Sequence, residues 1–243
     1  MSAAAFLLVV AVVSTLAGST AAVVGFGIGS LLTPLLATRY DAGLAVALVA
    51  IPHAAATVLR AWRLRGAVDW PLFRRFGLWS AAGGLAGALL FTRLGGSALA
   101  RLLGALLVLT AVSALTGWAT RVTLPRWGAW MLGALSGFFG GVVGNQGGLR
   151  AAALFGLGLA PATFVATSTM TGVIVDAARL PLYVARSGGA LRDGWALLLV
   201  ATGGTVLGTM IGSRMLLGLS PQRFRTILAL LIGLLGLLLL VRG

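Results

Sequence analysis

The stretch GVVGNQGGLR, Gly141 to Arg150, sets an amide pair and a guanidinium among glycines inside otherwise apolar sequence. Side-chain amides and the forked N–H groups of arginine match the oxygens of a planar or tetrahedral oxyanion. Glycine lets backbone approach a ligand and adopt positive φ without a Cβ penalty. A helix that starts there also aims its free N–H groups and the positive end of its dipole at the same spot. Asn145, Gln146, the amides of Gly147 and Gly148, and Arg150 are therefore the candidate first wall of an anion site.

Two further sets could complete it. The run GFGIGS supplies Gly25, Gly27, Gly29 and Ser30, and FVATSTMTGVIVDAARLPLYV supplies Thr167, Ser168 and Thr171, with Thr167 and Thr171 on one helix face. Membrane hydroxyls also bond to their own preceding turn, and membrane glycines also serve close helix packing, so both roles stay open. Asp176 and Arg179 stand at i and i+3, close enough to pair. His53, the one histidine, follows Pro52 and belongs to the residue type that titrates near neutral pH. These three are candidate proton carriers, with a neutralising pair and a structural histidine as the alternative.

Such groups need elements to hold them. Of 243 residues, 59% are hydrophobic and 9% charged, and the mean hydropathy is +1.06; an ordinary soluble domain is about 25% charged. Apolar runs of about 20 residues, each long enough to cross a hydrocarbon core about 30 Å thick, recur between short polar breaks. The pattern predicts an all-α integral membrane protein with eight full crossings, near 3–24, 42–60, 72–92, 97–118, 127–143, 161–185, 194–215 and 221–241. Segments 25–38 and 144–158 are too short to span. Each is glycine-broken and then apolar, and predicts a half-membrane element. The N-terminal run lacks the basic start of a cleaved signal peptide and is expected to remain as the first helix.

The halves align. AVVGFGIGSLLTPLL (22–36) lies over GVVGNQGGLRAAALF (141–155) at an offset of 141 − 22 = 119, which also sets Arg60 on Arg179. Gly83, Gly87 and Arg93 match Gly204, Gly208 and Arg214 at an offset of 204 − 83 = 121. Residues 1–120 and 121–243 then form two pseudo-symmetric, inverted repeats, the arrangement of transporters whose site lies where glycine-interrupted segments meet. Irregular backbone at membrane depth must line a cavity or be buried by protein.

With histidine neutral, the net charge is 18 − 4 = +14, all its positive charge from arginine, since lysine and glutamate are absent and the acids are Asp41, Asp69, Asp176 and Asp193. The arginines are dispersed at helix ends, which does not fit a nucleic-acid face. Arg60, Arg63, Arg65, Arg74 and Arg75 crowd one connection and predict that it is cytoplasmic. Without cysteine there are no thiolate metal sites, and one histidine excludes a multi-histidine metal site. Without paired carboxylates or a cysteine nucleophile, an intramembrane enzyme is not expected. No cofactor is implied.

The two glycine loops with their short apolar helices, Ala166-Thr167-Ser168 after the second, RLRGAVDW (63–70), and the paired Gly-Gly, Gly, Arg endings together resemble the sulfite exporter TauE/SafE family over nearly the whole chain. The resemblance implies secondary transport of sulfur-containing oxyanions or organosulfonates across a bacterial inner membrane, with the glycine loops near the substrate. The family's usual G-I-G-G-G is here GFGIGS and GNQGGLR, so a larger sulfonate or a carboxylate stays open. Related thiosulfate carriers depend on cysteines, which this chain does not have. The expected partners are a small anion, membrane lipid, and H+ or Na+ as coupling ion. An anion channel, or a carrier for a non-sulfur organic anion, is the alternative.

Overall fold

Glycine and aspartate mark the breaks in an otherwise helical chain. The computed structural model describes residues 2–117, 126–144, 147–155, 157, 159–215 and 221–242, and its regular elements are helices. In order they are α1 (Ala3–Val24), α2 (Ile28–Ala37), α3 (Ala42–Leu64), α4 (Trp70–Phe91), α5 (Gly96–Thr116), α6 (Arg126–Val143), α7 (Gly147–Phe155), α8 (Pro161–Asp193), α9 (Trp195–Met215) and α10 (Pro221–Arg242). A single 3₁₀ turn, Arg65–Ala67, joins α3 to α4. Two of the few acids are spent on helix starts. The Asp41 carboxylate accepts from Gly43 N at 2.8 Å, and that of Asp69 accepts from Leu72 N at 3.0 Å, each satisfying an amide the helix itself leaves free.

Among the described residues, Ala3–Val23, Ala42–Ala67, Gly96–Thr116 and Trp195–Gly212 are long and apolar enough to cross a membrane, and Ile28–Ala37, Trp130–Val143 and Ile232–Val241 are shorter apolar helices. Leu8, Leu78, Leu199 and Leu234 stand exposed on the outside, where only lipid would accept them. Trp62 and Trp70 are exposed beside exposed Arg63, Arg65, Arg74 and Arg75, the amphipathic mixture that suits a headgroup layer.

The packing pairs helices across the two halves of the chain. The closest interfaces are α4 on α6 and α1 on α9, and α5 lies on α10. Contacts fix the directions. Gly83 and Gly87 of α4 lie against Ala134 and Phe138 of α6, and Gly204 and Gly208 of α9 against Ser14 and Thr15 of α1, so both pairs are parallel. The glycine pairs that match at an offset of 121 thus do the same work in both halves. Pro52 of α3 accepts from Thr205 of α9, and Gly194 meets Leu48, so α3 runs with α9 and hence with α1. Gly77 meets Ile174 and Phe91 stacks on Tyr183, so α4 runs with α8. By contrast, α3 and α8 cross antiparallel, with His53 at Asp176 and Arg60 at Thr169. α5 and α10 do likewise, with Gly104 at Leu240 and Ala111 at Gly233. Since α1 and α3 share a direction, the short α2 between them must run back.

These interfaces depend on small residues. A Cβ on Gly87 would fall on the Phe138 carbonyl. Gly87→Leu is therefore expected to push α4 off α6, a loss of about 1–3 kcal/mol or more for overpacking. A lowered thermal midpoint in detergent would show it, and an unchanged midpoint would contradict the packing.

Two boundaries lie more than three residues from the sequence expectation. α3 continues to Leu64 and not to 60, and α8 continues to Asp193 and not to 185. Gly188 and Gly189 look like breakers, yet the helix continues past them and buries Leu191 in the core. Just before them, Arg186 donates to the Phe91 carbonyl in the last turn of α4 at 2.7 Å and to the Leu94 carbonyl beyond it at 3.1 Å.

Candidate functional site

Two helices end in the same way. α1 ends at Gly25, with φ 86°, whose N–H returns to the Ala21 carbonyl; α6 ends at Gly144, with φ 73°, whose N–H returns to the Gly140 carbonyl. Both pairs are related by 144 − 25 = 119. Gly27 has φ 138°, a backbone conformation L side chains rarely adopt, and α2 starts one residue later. α7 starts at Gly147, where a Cβ would collide with Phe26 of the first loop. Phe26 of the first loop therefore packs against the start of α7.

Beside this contact lies a small polar cavity, with about 20 Å³ open to the centre of a water-sized sphere. The first loop lines it through Gly25, Phe26, Gly27, Gly29 and Ser30, and the second through Gly144, Gly147 and Arg150. α3 closes it with His53, Thr57 and Arg60. Of the residues proposed from sequence, Gly25, Gly27, Gly29, Ser30, Gly147 and Arg150 are thus brought together with His53. Gly148 lies in the first turn of α7. Asn145 and Gln146 lie outside the described residues.

The hydroxyls of α8 are placed otherwise. Thr167 accepts from Asp69 N at 3.0 Å, Thr171 donates to the Thr167 carbonyl at 2.9 Å, and neither is among the lining residues. Thr171 thus bonds its own preceding turn, the second use that the sequence left open, whereas Thr167 reaches across to the amide that precedes α4, a use the sequence reading did not name. Ser168 contributes through its backbone: its carbonyl accepts from Arg150 at 2.8 Å and holds the guanidinium in place.

Behind the cavity stands a chain of charge. His53 Nδ1 and Asp176 Oδ2 are 2.7 Å apart, and the other oxygen of Asp176 accepts from Arg179 Nε at 3.0 Å and pairs with its terminal nitrogen at 2.7 Å. Arg179 also donates to the Gly140 carbonyl at the end of α6, as does Tyr183, which reaches the Gly141 carbonyl too. Asp176 and Arg179 pair as their spacing predicts, but the contact with His53, 123 positions away, comes only from the antiparallel crossing of α3 and α8.

Arg60 corrects the sequence reading. It was expected in a cytoplasmic loop, but α3 carries it into the interior, 5% exposed, where its Nε donates to Thr169 at 2.9 Å. The signal was its alignment with Arg179. Among the described residues the buried charged side chains are Arg60, Arg150, Arg179 and Asp176. One carboxylate serves Arg179; Arg60 and Arg150 have none of their own. An N–H-bearing nitrogen of Arg60 (Nη1) and two of Arg150 (Nε and Nη2) are buried without a protein partner. Removing an ion from water costs several kcal/mol unless a counter-charge and hydrogen bonds replace the water. Two unmatched guanidinium groups at one cavity are what an anion would satisfy.

An all-helical chain with a lipid-suited exterior, helix breaks in its interior, and a cationic cavity at those breaks is a membrane permease in architecture. The chain matches the Sulfite exporter TauE/SafE family over residues 10–239 and belongs to it. Members of that family are membrane transporters of sulfur compounds. No curated protein and no solved structure matches the chain.

Proposed function

We propose that this protein is a secondary transporter that carries a small sulfur-containing oxyanion or organosulfonate across the bacterial inner membrane by alternating access. One observation carries the reading: Arg150, 4% exposed, lines the cavity beside the glycines and has two buried nitrogens without a partner. The anion would bind there, with Gly25, Gly27, Gly29, Ser30, Gly147, Gly148 and Arg150 around it.

The architecture proposed is two inverted repeats, 1–120 and 121–243, with eight full crossings and the short α2 and α7. Antiparallel crossing of the equivalent pairs α3 with α8 and α5 with α10 supports inversion, because an axis in the membrane plane reverses each helix it exchanges. The return of α2 adds a fifth passage per repeat and supplies the odd parity that inversion needs. The cavity as packed has room for about one water. A sulfur oxyanion has several heavy atoms, so the loops and helices must part to admit it, which fits rocking of one half against the other. For coupling, proton uptake falls to His53, and the Asp176 and Arg179 pair couples to it through the carboxylate they share. His53 faces Asp176, Arg179, Arg60 and Arg150, so its charge state would register an anion between the arginines.

Reconstitution into liposomes tests the reading. Saturable sulfite flux that accelerates in exchange for internal sulfite is the expected result. Ohmic anion currents without saturation would show a channel, and saturable flux of acetate but not of sulfur anions would show a carrier for other cargo.

A further inference from the structure

We infer that the cavity selects dianions, and that Arg60 joins Arg150 in a two-point clamp that sets this preference. The inference rests on the anion-binding reading above and specifies the charge of its substrate.

Charge is unbalanced at one place. Arg60 and Arg150 reach the cavity from different helices, α3 and α7, and both line it. Each is fixed by one protein acceptor, Thr169 for Arg60 and the Ser168 carbonyl for Arg150, and neither acceptor is charged. Each keeps at least one buried nitrogen with no partner. The single buried carboxylate, Asp176, holds Arg179 on one oxygen and His53 on the other. At the position equivalent to Asp176 in the first half, 176 − 119 = 57, the chain has Thr57. The equivalent arginine, Arg60, therefore has no acid of its own on its helix. The vacancy on the charge scale is two. A monoanion would leave one guanidinium uncompensated, whereas a dianion bound between the forks would satisfy both.

Shape can be held fixed while charge changes. Methanesulfonate is sulfate with one oxygen replaced by methyl, and methanesulfinate stands in the same relation to sulfite; each replacement removes one charge. Binding of all four to the purified wild-type protein would be measured by calorimetry at constant ionic strength and mildly alkaline pH, where sulfite is the dianion. The expected result is that at least one dianion binds tighter than its methyl counterpart by roughly tenfold or more. In Arg60→Gln that ratio should collapse toward equality, and Arg60→Lys, which keeps charge without the fork, should fall between. Equal binding of monoanion and dianion by the wild type would overturn the inference and leave the anion-transport reading standing. No binding of any of the four would overturn both. A preference that survives in folded Arg60→Gln would remove Arg60 from the clamp. If Arg60→Gln does not fold, the wild-type comparison still decides the dianion preference, and Arg60→Lys decides the role of Arg60.

Discussion

Arg150→Ala is expected to abolish measurable transport and to weaken sulfite binding by roughly 30-fold to several-thousand-fold. The range follows from the 2–5 kcal/mol lost when one partner of a buried, hydrogen-bonded charge pair is truncated. The stability of the empty protein is expected to move the other way or not at all. In the empty state this guanidinium is buried beside Arg60, with a single neutral acceptor and two unpartnered nitrogens. Its removal relieves an unmatched charge, at the expense of one hydrogen bond to Ser168. That combination separates a ligand-binding arginine from a structural one. Thermal midpoints without anion, alongside sulfite titrations, check both halves. A variant that binds sulfite like the wild type would take Arg150 out of the site, and one that loses its fold without anion would make it structural.

Asp176→Asn is the converse case. Its carboxylate is the one buried counter-charge among the described residues, and it links α8 to His53 on α3 while it holds Arg179. Arg179 in turn fixes the end of α6 at the Gly140 carbonyl, one turn before the second loop. Breaking a buried ion pair from one side typically loses about 3–5 kcal/mol, because the remaining charge stays buried and unpaired. The expected outcome is a large fall in thermal midpoint or failure to recover folded protein. Asp176→Asn combined with Arg179→Gln removes both charges and should recover much of the loss. A single variant as stable as the wild type would mean that the pair does not hold the core.

How far the sequence reveals this arrangement depends on whether a feature is local. The short helices α2 and α7 are legible because their glycines interrupt apolar runs that are themselves too short to span. The positive φ at Gly25 and Gly144 follows from the same glycines. Asp176 and Arg179 are legible because i, i+3 spacing places them on one face. Arg60 is not, because five arginines between 60 and 75 read as one basic connection, and loop charge alone does not say that α3 continues through Arg60 to Leu64. Its burial is set by Thr169, a residue 109 positions away. The contact of His53 with Asp176 needs the same crossing of helices and has no local signature. For Thr171 the hydroxyl's partner is its own helix's carbonyl, and for Thr167 it is Asp69 N, 98 positions away, a contact with no local signature. The extension of α8 past Gly188 and Gly189 likewise has no local signature; beyond them Leu191 is buried in the core.

The central claim is that the cavity between the glycine loops binds a sulfur oxyanion through unpartnered guanidinium groups. Calorimetric titration of sulfite into the purified wild-type protein and into Arg150→Ala, each shown to be folded, tests it most directly. Saturable binding in the wild type that is lost in the variant is the expected result. Saturable binding of equal strength in both would contradict it.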